Sequence, residues 1–182
     1  MIAIIDYGAG NIFSVKNALD YLGVENKLTA DRNEICAADE IILPGVGAFP
    51  WAMNMLRDSG LVDTIREEAK KKPFLGICLG MQLIFDKGYE FEETDGLRLI
   101  GGKVEKIDRK DMIIPHMGWN ELEINRDCPI LKGLPEHPYV YFVHSYAAVC
   151  DDANVSAYCD YGGKITALVH DGAYGYGAQF HP

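Results

Sequence analysis

A cysteine between two glycines is the residue of this chain best placed to do chemistry. Cys78 lies in Gly76-Ile77-Cys78-Leu79-Gly80, directly after the apolar run 73–75. A buried strand that turns sharply into a helix between glycines is typical of a nucleophile elbow, which presents its side chain above the edge of a sheet. The turn also leaves the backbone N–H of Leu79 free at a helix start, where it can stabilise a thiolate or an oxyanion. We therefore predict that Cys78 is a nucleophile.

A nucleophilic thiol needs a base to take its proton, and the chain has five histidines. His181 follows the strand-like segment 175–180, which would carry it to the edge of a sheet. Cysteine–histidine pairs are neighbours in the fold and not in the sequence. His170, in a turn, is the alternative base, and we favour His181. The competing interpretation is that Cys78 is a small buried hydrophobe and His181 a surface histidine.

A glycine-rich loop after the apolar strand 40–43 could assist this chemistry. In Pro44-Gly45-Val46-Gly47 the backbone N–H of Val46 or Gly47 could complete an oxyanion hole with that of Leu79. One such donor is worth roughly a hundred- to thousandfold in rate. The alternative is a simple turn that ends a strand, and the predicted position beside the elbow favours the oxyanion hole.

Two further segments are each open to two interpretations. His144-Ser145-Tyr146 follows the apolar strand 139–143 and is either a strand edge or a polar wall that offers backbone groups to a small ligand. Trp119, in the turn 115–120, is either a core anchor or an exposed aromatic side chain at an interface. Composition does not decide between them.

Composition argues against several classes of partner and cofactor. The 182 residues carry a formal net charge of −10, which is unsuited to nucleic acid or anionic membranes. The five cysteines lack C-x-x-C spacing, no P-loop is present, and Phe13 stands where a dinucleotide-binding turn needs its third glycine. We therefore predict no metal and no cofactor. The first residues do not form a signal peptide and no run reaches transmembrane length, which predicts a cytoplasmic protein.

The elements that must position these residues alternate in the first half of the chain. We predict strands at 2–5, 24–28, 40–43 and 73–78, and helices at 12–22, 52–57 and 61–71. This alternation predicts an α/β fold in which a parallel sheet has helices on both faces. After about Gly96, strand-like segments predict an antiparallel extension of the same single domain, residues 1–182. The loops 6–11 and 44–47 and the residue Cys78 would meet beyond the carboxyl ends of the parallel strands, where ligands bind in such sheets.

Together these segments resemble the class I (triad) glutamine amidotransferases, whose fold is flavodoxin-like. The elbow 76–82 and the ending 179–182 are features of the class. Within the class, four further segments are similar to the glutaminase subunits of imidazole glycerol phosphate synthases, namely 6–11, 43–49, 115–120 and 141–146. The resemblance extends through essentially the whole chain.

The resemblance implies a glutaminase reaction. Cys78 would attack the side-chain amide of glutamine to form a glutamyl thioester, ammonia would leave, and water would release glutamate. His181 would take the thiol proton and return it to the leaving ammonia. The oxyanion would be held by backbone groups of Val46, Gly47 and Leu79. The α-groups of glutamine would be held by Gln82, His144, Ser145 and Tyr146.

The resemblance also implies a partner. The cyclase subunit of imidazole glycerol phosphate synthase would form a heterodimer with this chain and use its ammonia to make imidazole glycerol phosphate and AICAR in histidine biosynthesis. Asn11, Trp119 and Tyr141 would lie at that interface. The family's His-x-Glu places the third triad member directly after Pro182, so we interpret the domain as truncated at its C-terminal end. The alternatives are a glutaminase of another class I amidotransferase, a γ-glutamyl hydrolase relative, and a non-catalytic regulatory relative.

Overall fold

A sheet of eight strands runs through the molecule. The computed structural model describes all residues from 1 to 182. In spatial order the strands are β2 (Asn26–Thr29), β1 (Ile2–Ile5), β3 (Glu40–Gly45), β4 (Phe74–Cys78), β14 (Gly175–Ala178), β13 (Lys164–His170), β12 (Val155–Asp160) and β9 (Glu123–Ile124). The pairs from β2 to β14 are parallel and those from β14 to β9 are antiparallel. The predicted parallel core with an antiparallel extension is confirmed.

Helices cover both faces of the parallel part. They are α1 (Ile12–Tyr21), α2 (Arg32–Ala37), α3 (Phe49–Asp58), α4 (Val62–Glu68) and α5 (Leu79–Leu83). Successive side chains of a strand point to opposite faces. Ile41 and Leu43 accordingly enter the large core beneath α3 and α4, while Ile42 enters a smaller cluster that includes Val15 of α1. None of the helices is long and apolar enough to cross a membrane.

Helix α2 was not predicted from the sequence. Its six residues bury only Ile35, so they carry no apolar period that would indicate a helix. The helix is instead begun by Asp31, whose side chain accepts hydrogen bonds from the backbone N–H groups of Asn33 and Glu34. A local cap and the packing of one isoleucine therefore determine that this segment is helical.

Two smaller sheets complete the fold. Strands β8 (His116–Glu121) and β10 (Tyr139–His144) pair as an antiparallel ribbon. Strands β11 (Tyr146–Cys150), β7 (Gly102–Lys106), β5 (Lys87–Gly88) and β6 (Thr94–Asp95) form a four-stranded sheet, and 3-10 turns lie at Pro129–Leu131 and Asp152–Asn154. The predicted strand 139–143 is part of β10, and the chain passes at Ser145 from the ribbon into β11 of the four-stranded sheet. This change of sheet turns the segment 144–146 toward the end of β4.

Candidate active site

The strand-to-helix turn at Cys78 is built by close backbone packing. Cys78 ends β4 with φ 56° and ψ −114°, a backbone conformation that residues other than glycine rarely adopt. The neighbouring glycines make it possible. A Cβ on Gly80 would lie 1.9 Å from the carbonyl oxygen of Leu43, and one on Gly76 would lie 2.6 Å from the carbonyl oxygen of Gly80. Both glycines are therefore required for β3, β4 and α5 to meet.

Cys78 opens into a cavity of about 370 Å³, within the usual range for a small-molecule site. The cavity collects segments that are far apart in the sequence. Its wall consists of Val46, Gly47, Cys78, Leu79, Gln82, Glu90, Pro115, Val143, His144, Ser145, Tyr146 and His181. The structure thus brings together every residue that the sequence predicted as catalytic, oxyanion-binding or substrate-binding.

The Cys78 thiol is protonated in the resting protein. Its side chain is almost fully buried, and burial raises the pKa of the thiol to about 11. The backbone N–H of Leu79 acts in the opposite direction and lowers the pKa, but with the smaller effect. A nucleophilic role for Cys78 would therefore require a base in the cavity wall that takes the thiol proton.

His181 has the properties of such a base. Its backbone N–H donates to the carbonyl oxygen of Tyr141 at 3.0 Å, which holds it against strand β10. Burial lowers the pKa of its imidazole, so the ring is neutral at pH 7. Its Nε2 atom is buried and has no hydrogen-bond partner in the protein. A neutral ring with an unused nitrogen can accept a proton.

His170, the alternative base, lies outside the cavity. It ends β13, its ring stacks on Tyr176 at 4.2 Å between centroids, and its Nδ1 atom lies 3.1 Å from the carbonyl oxygen of Gly175. A packed turn residue is the interpretation that this geometry supports.

The side chains of Gln82 and His144 are largely engaged within the protein. Gln82 Nε2 donates to the carbonyl oxygen of Tyr146 at 3.0 Å and to Gln179 Oε1 at 2.9 Å. The His144 ring nitrogens lie 2.8 Å from the same Tyr146 oxygen and 3.0 Å from His116 Nδ1. The side-chain oxygen of Gln82 accepts no hydrogen bond within the protein and is therefore left for a ligand.

Glu90 is a residue of the cavity wall that sequence reasoning missed. It lies between β5 and β6, and its carboxylate accepts the backbone N–H of Phe49 at 2.8 Å at the start of α3. It is the only acidic side chain in the wall. Nothing in the segment 89–93 distinguishes it from Glu92 or Glu93, because only the fold of this irregular loop turns one of the three inward.

The three residues predicted at the partner interface lie beside the cavity and not in its wall. Trp119 and Tyr141 are cross-strand neighbours on the ribbon, with ring centroids 5.7 Å apart, and Trp119 is 67% exposed. Asn11 precedes α1, where its side chain caps no backbone N–H, and it lines a neighbouring groove that also contains His181. Trp119 is thus a surface aromatic residue and not a core anchor.

Comparison with known proteins agrees with this geometry. The profile of the family described as glutamine amidotransferase class-I matches residues 3–182. The chain belongs to the class I glutamine amidotransferases. Among its relatives is the imidazole glycerol phosphate synthase subunit HisH of Bacillus cereus, 49% identical over 183 residues that cover 100% of this chain and 87% of the relative. The protein of the same name from Bacillus thuringiensis is 48% identical with the same coverage.

Solved structures of other amidotransferases share the fold. The structure described as a glutamine amidotransferase superposes with a TM-score of 0.77 at 20% identity, covering 100% of this chain and 90% of its own. PurLQS from Thermotoga maritima gives a TM-score of 0.76 at 21% identity, covering 100% and 86%. At these identities the likeness shows the fold alone.

Proposed function

We propose that this chain is the glutaminase subunit of an imidazole glycerol phosphate synthase. The observation that carries the proposal is the placement of Cys78, on a strained elbow, in one cavity wall with His181 and the backbone of Val46, Gly47 and Leu79. The HisH relatives, similar over the whole chain, indicate which amidotransferase it serves.

In the proposed reaction the sulfur of Cys78 attacks the side-chain amide carbon of glutamine while His181 takes the thiol proton. The N–H of Leu79, with that of Val46 or Gly47, stabilises the oxyanion of the tetrahedral intermediate. The carbon–nitrogen bond then breaks, and His181 gives its proton to the leaving ammonia. Water attacks the thioester, releases glutamate and restores the thiol.

The cavity offers complementary groups to the two charged ends of glutamine. The Glu90 carboxylate matches an α-ammonium group, because opposite charges attract strongly where water is excluded. No lysine or arginine lies in the wall, so the α-carboxylate is assigned to backbone N–H groups of Ser145 and Tyr146. The unengaged Gln82 oxygen faces the same space.

The partner in the proposal is a cyclase subunit that receives the ammonia. Ammonia released into water is protonated, so the product must leave toward the partner. The ribbon carries Trp119 and Tyr141 beside His181, which supports a docking surface adjoining the cavity mouth. All five cysteines are free, which agrees with the expected cytoplasmic location.

Substitution of the nucleophile tests the proposal. In the complex with the cyclase subunit, Cys78→Ser should abolish synthesis from glutamine and leave synthesis from ammonium salt unchanged, because the thiol serves only to liberate ammonia. The measurement is the rate of imidazole glycerol phosphate formation with each nitrogen source. Loss of both reactions in a folded complex would contradict the proposal.

A further inference from the structure

Gln179 is a buried polar residue next to the nucleophile and outside the cavity wall. Its side chain is 0% exposed, and a bound substrate in the cavity would not touch it. Its amide nitrogen lies 3.9 Å from the sulfur of Cys78, within the range of a hydrogen bond to sulfur. This sulfur is the only protein acceptor for that nitrogen.

The orientation of the Gln179 amide follows from its neighbours. A carbonyl oxygen can only accept hydrogen bonds, so the Gln82 group that faces the oxygen of Tyr146 must be the NH₂ group. The second hydrogen of this NH₂ group points to Gln179, which must therefore present its oxygen to Gln82 at 2.9 Å. The NH₂ group of Gln179 is then turned to the sulfur of Cys78.

The hydrogen-bond chain continues from Tyr146 to the ribbon. The Tyr146 oxygen also lies 2.8 Å from His144 Nδ1, so it is held from two sides. His144 Nε2 lies 3.0 Å from His116 Nδ1, and His116 Nε2 lies 2.9 Å from Asn120 Oδ1. Both of these partners are acceptors, because His144 donates through Nδ1, so a neutral His116 donates to one of the two. Every link is buried or partly buried. Turning the Gln179 amide would place its NH₂ group against the NH₂ group of Gln82, so its orientation is held by the hydrogen bonds that link Gln179, Gln82 and Tyr146.

A donor that points at sulfur favours the thiolate over the thiol, since the negative charge accepts the stronger hydrogen bond. We propose that Gln179 is a positioning residue for the nucleophile, whose amide holds the sulfur of Cys78 in place and stabilises its thiolate as the proton leaves. The inference rests on the proposed function only in taking Cys78 as the nucleophile. The Leu79 N–H is a second donor to the same sulfur, and it lowers the pKa of the thiol against the effect of burial.

Other titratable groups also face this sulfur or its cavity. They are Tyr7 from the loop after β1, Glu90 from the loop after β5, and His144, Tyr146 and His181 from the second half of the chain. Variants of Gln179 leave all of these side chains in the protein, so a changed Cys78 reactivity reports on the Gln179 amide.

The decisive variant is Gln179→Glu. In its ionised form, one carboxylate oxygen still accepts from Gln82, while the other faces the sulfur with no hydrogen to donate and repels a thiolate. The measurement is the rate of alkylation of Cys78 by iodoacetamide between about pH 6 and about pH 10, followed by mass spectrometry of its peptide. We expect the rate at about pH 8 to fall about tenfold, with the pH profile displaced to higher pH.

Two further variants keep the test sharp. Gln179→Met removes the donor without adding charge, so it should displace the profile in the same direction by a smaller amount, and it carries the test if Gln179→Glu does not fold. Ser156→Ala alters another fully buried polar side chain, outside the chain of hydrogen bonds, and should leave the profile unchanged. Unchanged profiles in the folded Gln179 variants, or an equal displacement in Ser156→Ala, would overturn the inference. Failure of the proposed function would appear separately, as wild-type complex that does not hydrolyse glutamine.

Discussion

The two halves of the chain contribute different kinds of structure to the active site. The parallel half mainly supplies backbone, because the elbow at Cys78 and the loop 45–47 are brought together by glycines packed too closely for a Cβ. The antiparallel half supplies polar side chains, and all five histidines lie there, between His116 and His181. The comparison teaches that the position of Cys78 is set by local packing, whereas the proton acceptor that its proposed role requires comes from strands that are distant in the sequence.

The largest expected effect comes from filling the space at the elbow. In Gly80→Ala the new methyl group meets the carbonyl oxygen of Leu43, so β3 and α5 must separate, and the unfolding free energy should fall by about 3 kcal/mol or more. Urea unfolding measures this loss. Gly101→Ala is the matched control, since its Cβ would have only one side-chain atom within 4 Å, at 3.9 Å, and the change should stay within about 0.5 kcal/mol.

Acid should weaken the antiparallel half first. Burial lowers the pKa of His144 to about 4, below its ordinary value of 6.5. Between these two pH values the unfolded chain binds a proton at this residue and the folded protein does not. Stability is therefore complete above about pH 6.5 and falls as the pH drops toward 4, by up to about 3 kcal/mol from this residue. Burial lowers the pKa of His116 and His181 in the same direction.

Urea unfolding at several pH values measures the slope, and amide hydrogen exchange locates it. The ribbon should lose protection before β1 and β3 as the pH falls. A His144→Gln variant with the same slope as the wild type would show that the buried histidine is not the cause.

The two tryptophans, one in each half, offer a third comparison. Trp119→Ala should weaken binding of the cyclase subunit by about 2 kcal/mol, because exposed aromatic residues at the centre of an interface dominate its affinity. Trp51 is 73% exposed on α3 and is the matched control, whose substitution by alanine should leave the affinity unchanged. Titration calorimetry measures both. Equal affinities for the two variants would show that the ribbon is not part of the interface.

The smallest effect concerns the loop glycines. Gly47 has φ 101° with no atom within 4 Å of a Cβ, so Gly47→Ala should cost about 1 kcal/mol in backbone strain and lower glutamine turnover in the complex about tenfold. Gly133 has φ 86° and equal space, so Gly133→Ala should lose similar stability without any loss of turnover. Equal turnover in the two variants would show that Gly47 does not contribute to the oxyanion hole.

The sequence predicted the parallel core well because its strands are continuous apolar runs that end in recognisable glycine turns. It failed at α2, which is held by the Asp31 cap and one buried isoleucine. It also missed Glu90, because several acidic residues follow one another in an irregular loop and no local pattern states which of them turns inward.

What the sequence determined by itself was the chemistry available: a thiol between glycines, a histidine after a strand, and loops rich in backbone donors. These depend on residue types and on spacings of a few positions, where steric rules act locally. Only the tertiary structure decided that His181 joins strand β10, that His144 uses both ring nitrogens internally, and that Gln179 points at sulfur. Apart from the local contact between His144 and Tyr146, each of these is a pairing between segments far apart in the chain, and such pairings exist only once the sheets have closed around the cavity.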